Sequence, residues 1–182
     1  MAIEIETKVL DIDKDQVIRL LISLKAKKIQ ETTLTVDWYR PIGTKEGEDL
    51  WFLRIRSNSE GRHEVTWKAK SKIRSGVRKH KEINFNIDSP EQLSDLFQEI
   101  GLEKYAHQEK IRISFLLNDW RFDIDQYPGM PAFVEIEGPS EPSIKKAMKL
   151  LKMENNKTWA KGERILIQDI YNLDWYDMKF KS

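Results

Sequence analysis

The chain has 182 residues, 40% hydrophobic and 34% charged, with no cysteine; that suits one domain over 1–182 and excludes disulfides, thiolate metal centres, iron–sulfur clusters and a Cys nucleophile. A net charge of +1, from 31 Lys and Arg against 30 Asp and Glu, excludes a chain-wide basic grip on nucleic acid. No apolar run reaches the ~18 residues of a membrane helix and the acidic start lacks a secretory n-region, so a cytoplasmic protein is expected.

The first segment alternates strictly. Ile3, Ile5 and Val9 face one way, and Glu4, Glu6 and Lys8 face the other, the period-2 mark of a two-faced strand. A helix over 13–28 follows, with Asp13 as N-cap, Gln16 at N3 and an apolar stripe of Val17, Leu20, Leu21 and Leu24. A weaker strand covers 33–39. Next, Trp51, Leu53 and Ile55 alternate with Arg54 and Arg56. After a turn at Ser59, Glu60 and Gly61, Val65, Trp67 and Ala69 alternate with Thr66, Lys68 and Lys70. Ile83, Phe85 and Ile87 oppose His80, Glu82 and Asn84. Ser89 caps a second helix with Pro90 at N1; Leu93, Leu96, Phe97 and Ile100 form its stripe and Gly101 ends it. Ile111 and Ile113 oppose Lys110 and Arg112. Past a turn at Asn118 and Asp119, Phe122 and Ile124 oppose Asp123 and Asp125, and Val134 and Ile136 oppose Glu135 and Glu137. A third helix is expected over 140–152 and a short fourth near 165–173. The segments 4–24 and 80–100 share a loose pattern, suggesting two strand–helix–strand halves within one sheet.

These segments make about eight strands, mostly antiparallel by their short connections. A strand with one charged face is ordinarily solvated on that face. Here the charges are segregated by strand: acidic pairs on the first and last, basic pairs on the third, fourth and sixth. About eight strands can close into a barrel that holds one small ligand. Amphipathic helices and outward Trp51 and Trp67 favour the apolar face outside and the charges inside. The fold class expected is therefore α+β: an eight-stranded antiparallel barrel with a charged tunnel, covered by helices. Such an interior is costly unless it is wet, paired or filled by charged ligands. Guanidinium and ammonium groups recognise phosphate oxygens. Carboxylates with no His or Cys cluster suggest Mg²⁺ or Mn²⁺ bridging to phosphates. Glu4 and Glu6, about 7 Å apart on one strand face, can lean toward one ion.

The motif Glu4-Ile5-Glu6-Thr7-Lys8 resembles the Glu-x-Glu-x-Lys motif of the CYTH family, the triphosphate tunnel metalloenzymes that include class IV adenylyl cyclases and thiamine triphosphatases. It is joined in order by Leu53-Arg54-Ile55-Arg56, Thr66-Trp67-Lys68, Lys81-Glu82, Lys110-Ile111-Arg112, Asp123-Ile124-Asp125 and Phe133 through Pro139. The resemblance implies metal ligation by Glu4, Glu6, Glu135 and Glu137, with Glu82 or Asp125 adding contacts. It implies a phosphate cradle of Arg54, Arg56, Lys68, Lys110 and Arg112. Lys8 would lie near the attacking water or the scissile phosphate, with Glu6 as its catalytic neighbour. Two departures stand out. His80 occupies a position where many relatives carry Arg, so a phosphate contact is lost or supplied by Lys79 or Lys81. The tail reads Thr158-Trp159-Ala160-Lys161-Gly162 where many relatives carry a Ser-Tyr helix.

The resemblance implies a metal-dependent hydrolase of inorganic triphosphate or of a small organic triphosphate such as ATP or thiamine triphosphate. The alternatives are a class IV adenylyl cyclase, making cAMP and pyrophosphate from ATP, and a non-catalytic triphosphate- or polyphosphate-binding module. The paired Glu-x-Glu motifs argue against simple binding, which needs mainly the basic set. Neither nucleic acid nor membrane is indicated. Tail aromatics Trp175 and Tyr176 are compatible with a homodimer.

Overall fold

A computed structural model describes the backbone of residues 2–70, 72–74 and 77–181, and the side chains of 5–70 and 81–181. The side chains of Glu4, Lys79 and His80 lie outside the described residues. The element order is β1 (Ala2–Val9), α1 (Lys14–Ser23), β2 (Lys27–Pro41), β3 (Trp51–Asn58), β4 (His63–Ala69), β5 (Lys72–Arg74), β6 (Val77–Ile87), α2 (Pro90–Glu99), β7 (Leu102–Leu117), β8 (Trp120–Gln126), β9 (Phe133–Glu137), α3 (Glu141–Leu150), β10 (Thr158–Trp159), α4 (Glu163–Asp169) and β11 (Asp177–Met178). No helix among the described residues is long and apolar enough to cross a membrane.

The strands form one sheet whose main path runs β1-β9-β8-β7-β2-β3-β4-β6, and β6 pairs again with β1. Glu6 has Glu137 of β9 as its register partner on one edge and Arg78 of β6 on the other. The path therefore returns to its start, and eight antiparallel strands form a ring. The two strand–helix–strand halves are present: β1-α1-β2 and β6-α2-β7 meet through antiparallel β1–β6 and β2–β7 pairings.

Local chemistry explains most boundaries. Asp13 accepts from the Gln16 N–H at 2.9 Å, as its place before the apolar stripe requires. Ser89 and Ser140 cap α2 and α3 in the same way, each ahead of a proline in the first turn. Gly101, at φ 86°, ends α2 in a conformation that side chains other than glycine rarely adopt. The first helix is shorter than its periodicity predicts: it stops at Ser23, and Lys27 already begins β2. Tertiary pairing overrides local propensity here, because β2 runs 15 residues against the 16-residue β7. The last helix occupies Glu163–Asp169, starting earlier than expected.

Three apolar clusters hold the ring. Val17 and Leu21 of α1 and Ile144 and Ala147 of α3 pack on Val9, Ile113, Phe115, Phe122, Ile124, Val134 and Ile136, covering the outside of β1, β7, β8 and β9. Phe97 of α2 packs with Tyr39, Ile55 and Val65 outside β2, β3 and β4. The helical cover is incomplete at β6, where Ile83 and Phe85 are 41% and 57% exposed. The third cluster joins Leu34, Val36, Trp38 and Phe133 to Leu166 and Ile167 of α4 and to Trp175. Leu34, Val36 and Trp38 share one face of β2, and Phe133 shares a face with Glu135 and Glu137. This cluster is therefore inside the ring. The tail fills one end of a tunnel expected to be charged throughout.

Candidate active site

The inner faces of the ring enclose a cavity of about 1160 Å³. Alternation along each strand sends every second side chain inward, which is why spacing-two charged pairs converge. Of the residues singled out from sequence, Glu6, Lys8, Arg54, Arg56, Lys68, Glu82, Arg112, Glu135 and Glu137 line this cavity. Lys110 and Asp125 do not. They are 1% and 0% exposed and bonded to each other at 2.8 Å, behind the open space. Lys81 is exposed and does not line the cavity, so it does not replace the contact left open at His80.

Opposite charges meet across strands in the register, among them Lys8 with Glu135, Arg112 with Asp125, Arg56 with Glu64, Lys68 with Glu82 and Arg121 with Glu137. Lys8 Nζ lies 2.5 Å from Glu135 and 3.7 Å from Glu6. Lys68 pairs with Glu82, which also accepts from Asn84 at 2.5 Å. Arg56 donates to Glu64 at 2.6 Å. Arg112 grips Asp125 with two bonds of 2.6 Å and donates to Asp123 at 2.8 Å. That bidentate fork uses most of its donors and ties β7 to β8.

The ionisation equilibria follow this geometry. Burial alone would raise the Glu135 carboxyl, but Lys8, then Arg112, Lys110 and Lys68, hold it well below the usual carboxylate range. Burial acts the same way on Asp123, where Arg112 and Arg121 bring it down. For Arg112, burial disfavours the charge, yet Asp123 and Asp125 raise its pKa well above the ordinary value. Arg56 behaves oppositely. Burial, then the like charges of Arg54 and Arg112, lower it to about 10, against the opposing pull of Glu64. It stays charged at neutral pH, under a strain that an anion in the tunnel would relieve.

Arg54 is the outlier. It is 8% exposed, lines the cavity, and its buried Nε has no hydrogen-bond partner among the described residues. Its guanidinium lies 5.5 Å from the centre of the Trp38 ring. A buried charged donor without an acceptor is expensive in a finished core and useful where a ligand completes it.

The acidic side suits a hard cation. Glu6 and Glu137 are direct cross-strand partners, and like charges so placed destabilise a sheet unless a cation lies between them. Among the described residues no group of three or more acidic or imidazole side chains is already drawn together tightly enough to hold a metal. Glu4, the remaining motif carboxylate, is outside that set. The donor chemistry is all-oxygen and fits a divalent ion of the magnesium or manganese kind.

Sequence reasoning missed several groups. Glu64 faces the tunnel and is visible in hindsight from strand parity, and Asn84, placed on the polar face from sequence but given no role, lines the cavity with it. Lys161, Glu163, Arg164 and Trp175 also line the cavity. They come from the tail, and no local pattern signals that it folds into the tunnel. Glu163 accepts from Tyr127 at 2.5 Å and from Lys110 at 3.3 Å. Burial would raise its carboxyl, but Lys110 and then Lys8 hold it far down. β10 pairs Trp159 with Lys8, which anchors the tail beside the motif lysine.

A protein-family model described as the CYTH domain matches residues 2–158. A curated protein of Methanocaldococcus jannaschii, named as an adenylate cyclase candidate, is 30% identical over 135 residues, 74% of this chain and 76% of that protein. A solved structure from Pyrococcus horikoshii superposes with a TM-score of 0.75 at 17% identity, covering 91% of this chain and 98% of that one. A Hippeastrum protein, named as an adenylyl cyclase candidate with a dominant triphosphatase activity, superposes with a TM-score of 0.67 at 14% identity, covering 92% and 94%. At these identities the two structures speak for the fold.

Proposed function

The chain belongs to the CYTH family, whose members are metal-dependent enzymes acting on triphosphates, and from that premise we propose that it is a triphosphatase that hydrolyses inorganic triphosphate or a small organic triphosphate and uses Mg²⁺ or Mn²⁺. The observation that carries this reading is Arg54: a buried guanidinium on the tunnel wall with an unsatisfied donor. Arg54, Arg56 and Lys68 lie on adjacent strands of that wall and bind phosphate oxygens. Lys8, opposite Glu135, neutralises charge on the phosphoryl group under attack. Glu6 and Glu137, with Glu4, Glu135 and Glu82, would hold the divalent ion, which would supply Lewis-acid polarisation of phosphate oxygens. Lys110 and Asp125 brace the wall from behind, and Arg112, held by Asp123 and Asp125, lines the cavity beside them. Water attacks the terminal phosphorus in line, the bond to the bridging oxygen breaks, and phosphate leaves with the shortened chain.

The test is product analysis. Purified protein is given tripolyphosphate and ATP with Mg²⁺ or Mn²⁺, and phosphate, pyrophosphate and cyclic nucleotide are measured. Phosphate release that stops in chelator and in Glu6→Gln and Glu137→Gln is the expected result. Pyrophosphate with cyclic AMP from ATP would make the chain a cyclase, and triphosphate binding without any product would make it a binding module.

A further inference from the structure

The tail-side end of the tunnel carries chemistry that a phosphate chain does not use. Trp38, Phe52, Tyr105 and Trp175 line the cavity there. Trp175 is 3% exposed and lies beyond residues 2–158 that the family model matches. Its position is set from several sides. The Gln108 amide donates to its backbone carbonyl at 2.6 Å, and its ring centroid is 5.5 Å from Trp38 and 6.0 Å from Tyr105. Trp38 satisfies its own indole N–H by donating to Gln108. The Trp175 indole N–H has no acceptor among the described residues. Buried indole N–H groups ordinarily find a partner, and an unmade bond is a standing cost that a ligand acceptor would remove. The Arg54 guanidinium lies over the Trp38 ring, so the anion-binding donor and the aromatic group adjoin.

We propose that Trp175 is a specificity-determining residue: the tail-side end of the tunnel receives the planar heteroaromatic ring of an organic triphosphate, beside Trp38 and Tyr105, and the Trp175 N–H donates to a ring acceptor while the phosphates run past Arg54. The inference rests on the triphosphate reading above and selects within it, favouring an organic triphosphate over the inorganic one. Aromatic faces stack any nucleobase-like ring with little regard to its identity. The unpaired indole donor adds a requirement for an acceptor, and sites built on buried polar groups discriminate strongly against ligands that leave them unpaired.

The experiment titrates the full chain by calorimetry in chelator, so that metal-dependent hydrolysis does not interfere. ATP is compared with ribose 5-triphosphate, which lacks only the base. In the wild type, ATP is expected to bind about tenfold or more tightly, the scale of one stacked base. In Trp175→Phe, which keeps an aromatic ring and removes the donor, that ratio is expected to shrink by about tenfold. Equal affinities of the two ligands in the wild type, or an unchanged ratio in the variant, would overturn the proposal. If Trp175→Phe fails to fold, the wild type is titrated with a triphosphate carrying a phenyl ring in place of the base, which keeps the stack and offers no acceptor; affinity equal to that of ATP would overturn the proposal. If no triphosphate is hydrolysed when metal is restored, the triphosphatase reading fails while the titration still tests ring binding.

Discussion

Two walls of the same tunnel use the same residue types to opposite ends. On the β7–β8 wall, Arg112 and Lys110 are almost fully buried and each is bonded to aspartate, with Arg112 reaching both Asp123 and Asp125. On the β3–β4 wall, Arg54 has no carboxylate partner among the described residues and Arg56 has one, Glu64, while burial and then its guanidinium neighbours press its pKa down. The first wall is backed by α1, α3 and the largest apolar cluster. The second is backed by α2 and continues into β6, where Ile83 and Phe85 are exposed. Arg112 and Arg54 differ because the strand facing one supplies an acid and the strand facing the other does not. Asp125 faces Arg112, whereas Thr66 faces Arg54.

The strongest way to break this contrast is to remove one arginine from each wall. Arg112→Ala leaves Asp123 and Asp125 buried without their shared guanidinium, and it is expected to lose about 3–5 kcal/mol of stability in urea denaturation. Arg54→Ala is expected to shift the same midpoint by less than about 1 kcal/mol, because it removes no internal ion pair. Equal losses would show that both walls are structural.

Ligand binding should reverse the order. Tripolyphosphate at a hundredfold excess over its Kd stabilises the wild type by about 2.7 kcal/mol through mass action. Losing a charged phosphate bond at Arg54 weakens binding about tenfold, so the shift at the same concentration should fall to roughly half. Differential scanning fluorimetry with tripolyphosphate and with AMP reads this directly. A full shift in Arg54→Ala would remove that residue from the phosphate cradle.

Acid sharpens the contrast from the other side. Glu135 and Asp123 both titrate below their ordinary values in the folded state, so their contribution is complete above the unfolded carboxylate range near ~4. It is lost as the pH falls from there through the folded values, because the unfolded chain then binds more protons. Urea midpoints measured from pH 7 to pH 2 should therefore hold and then drop below about pH 4. A midpoint that stays level to pH 2 would contradict the paired carboxylates of the β7–β8–β9 wall.

The smallest effect is expected outside the thinly covered wall. Phe85 is 57% exposed on β6, and Phe85→Thr should change monomer stability by no more than about 0.5 kcal/mol. Phe115, fully buried on β7, should lose about 3–5 kcal/mol on truncation to Ala. A large loss at Phe85 that depends on protein concentration would mean that a second copy covers β6.

Strand parity by itself determined which side chains share the tunnel face, because side chains alternate along an extended chain whatever its partners. Glu6, Lys8, Arg54, Arg56, Lys68, Glu82, Arg112, Glu135 and Glu137 are legible for that reason, and the caps Asp13 and Ser89 are legible from their own place before an apolar stripe. Only the tertiary structure decided which charges are already spent on one another. That depends on strand register, between neighbours such as Arg112 against Asp125 and between strands far apart in sequence such as Lys8 against Glu135. It also decided the fate of the tail. Trp175, Glu163 and Arg164 carry no local pattern that points inward; they enter the tunnel because β10 adds to β1, β11 adds to β7, and the apolar inner face of β2 needs cover. Burial of Leu34, Val36 and Trp38 against Leu166, Ile167 and Trp175 is a long-range hydrophobic choice that no local pattern encodes.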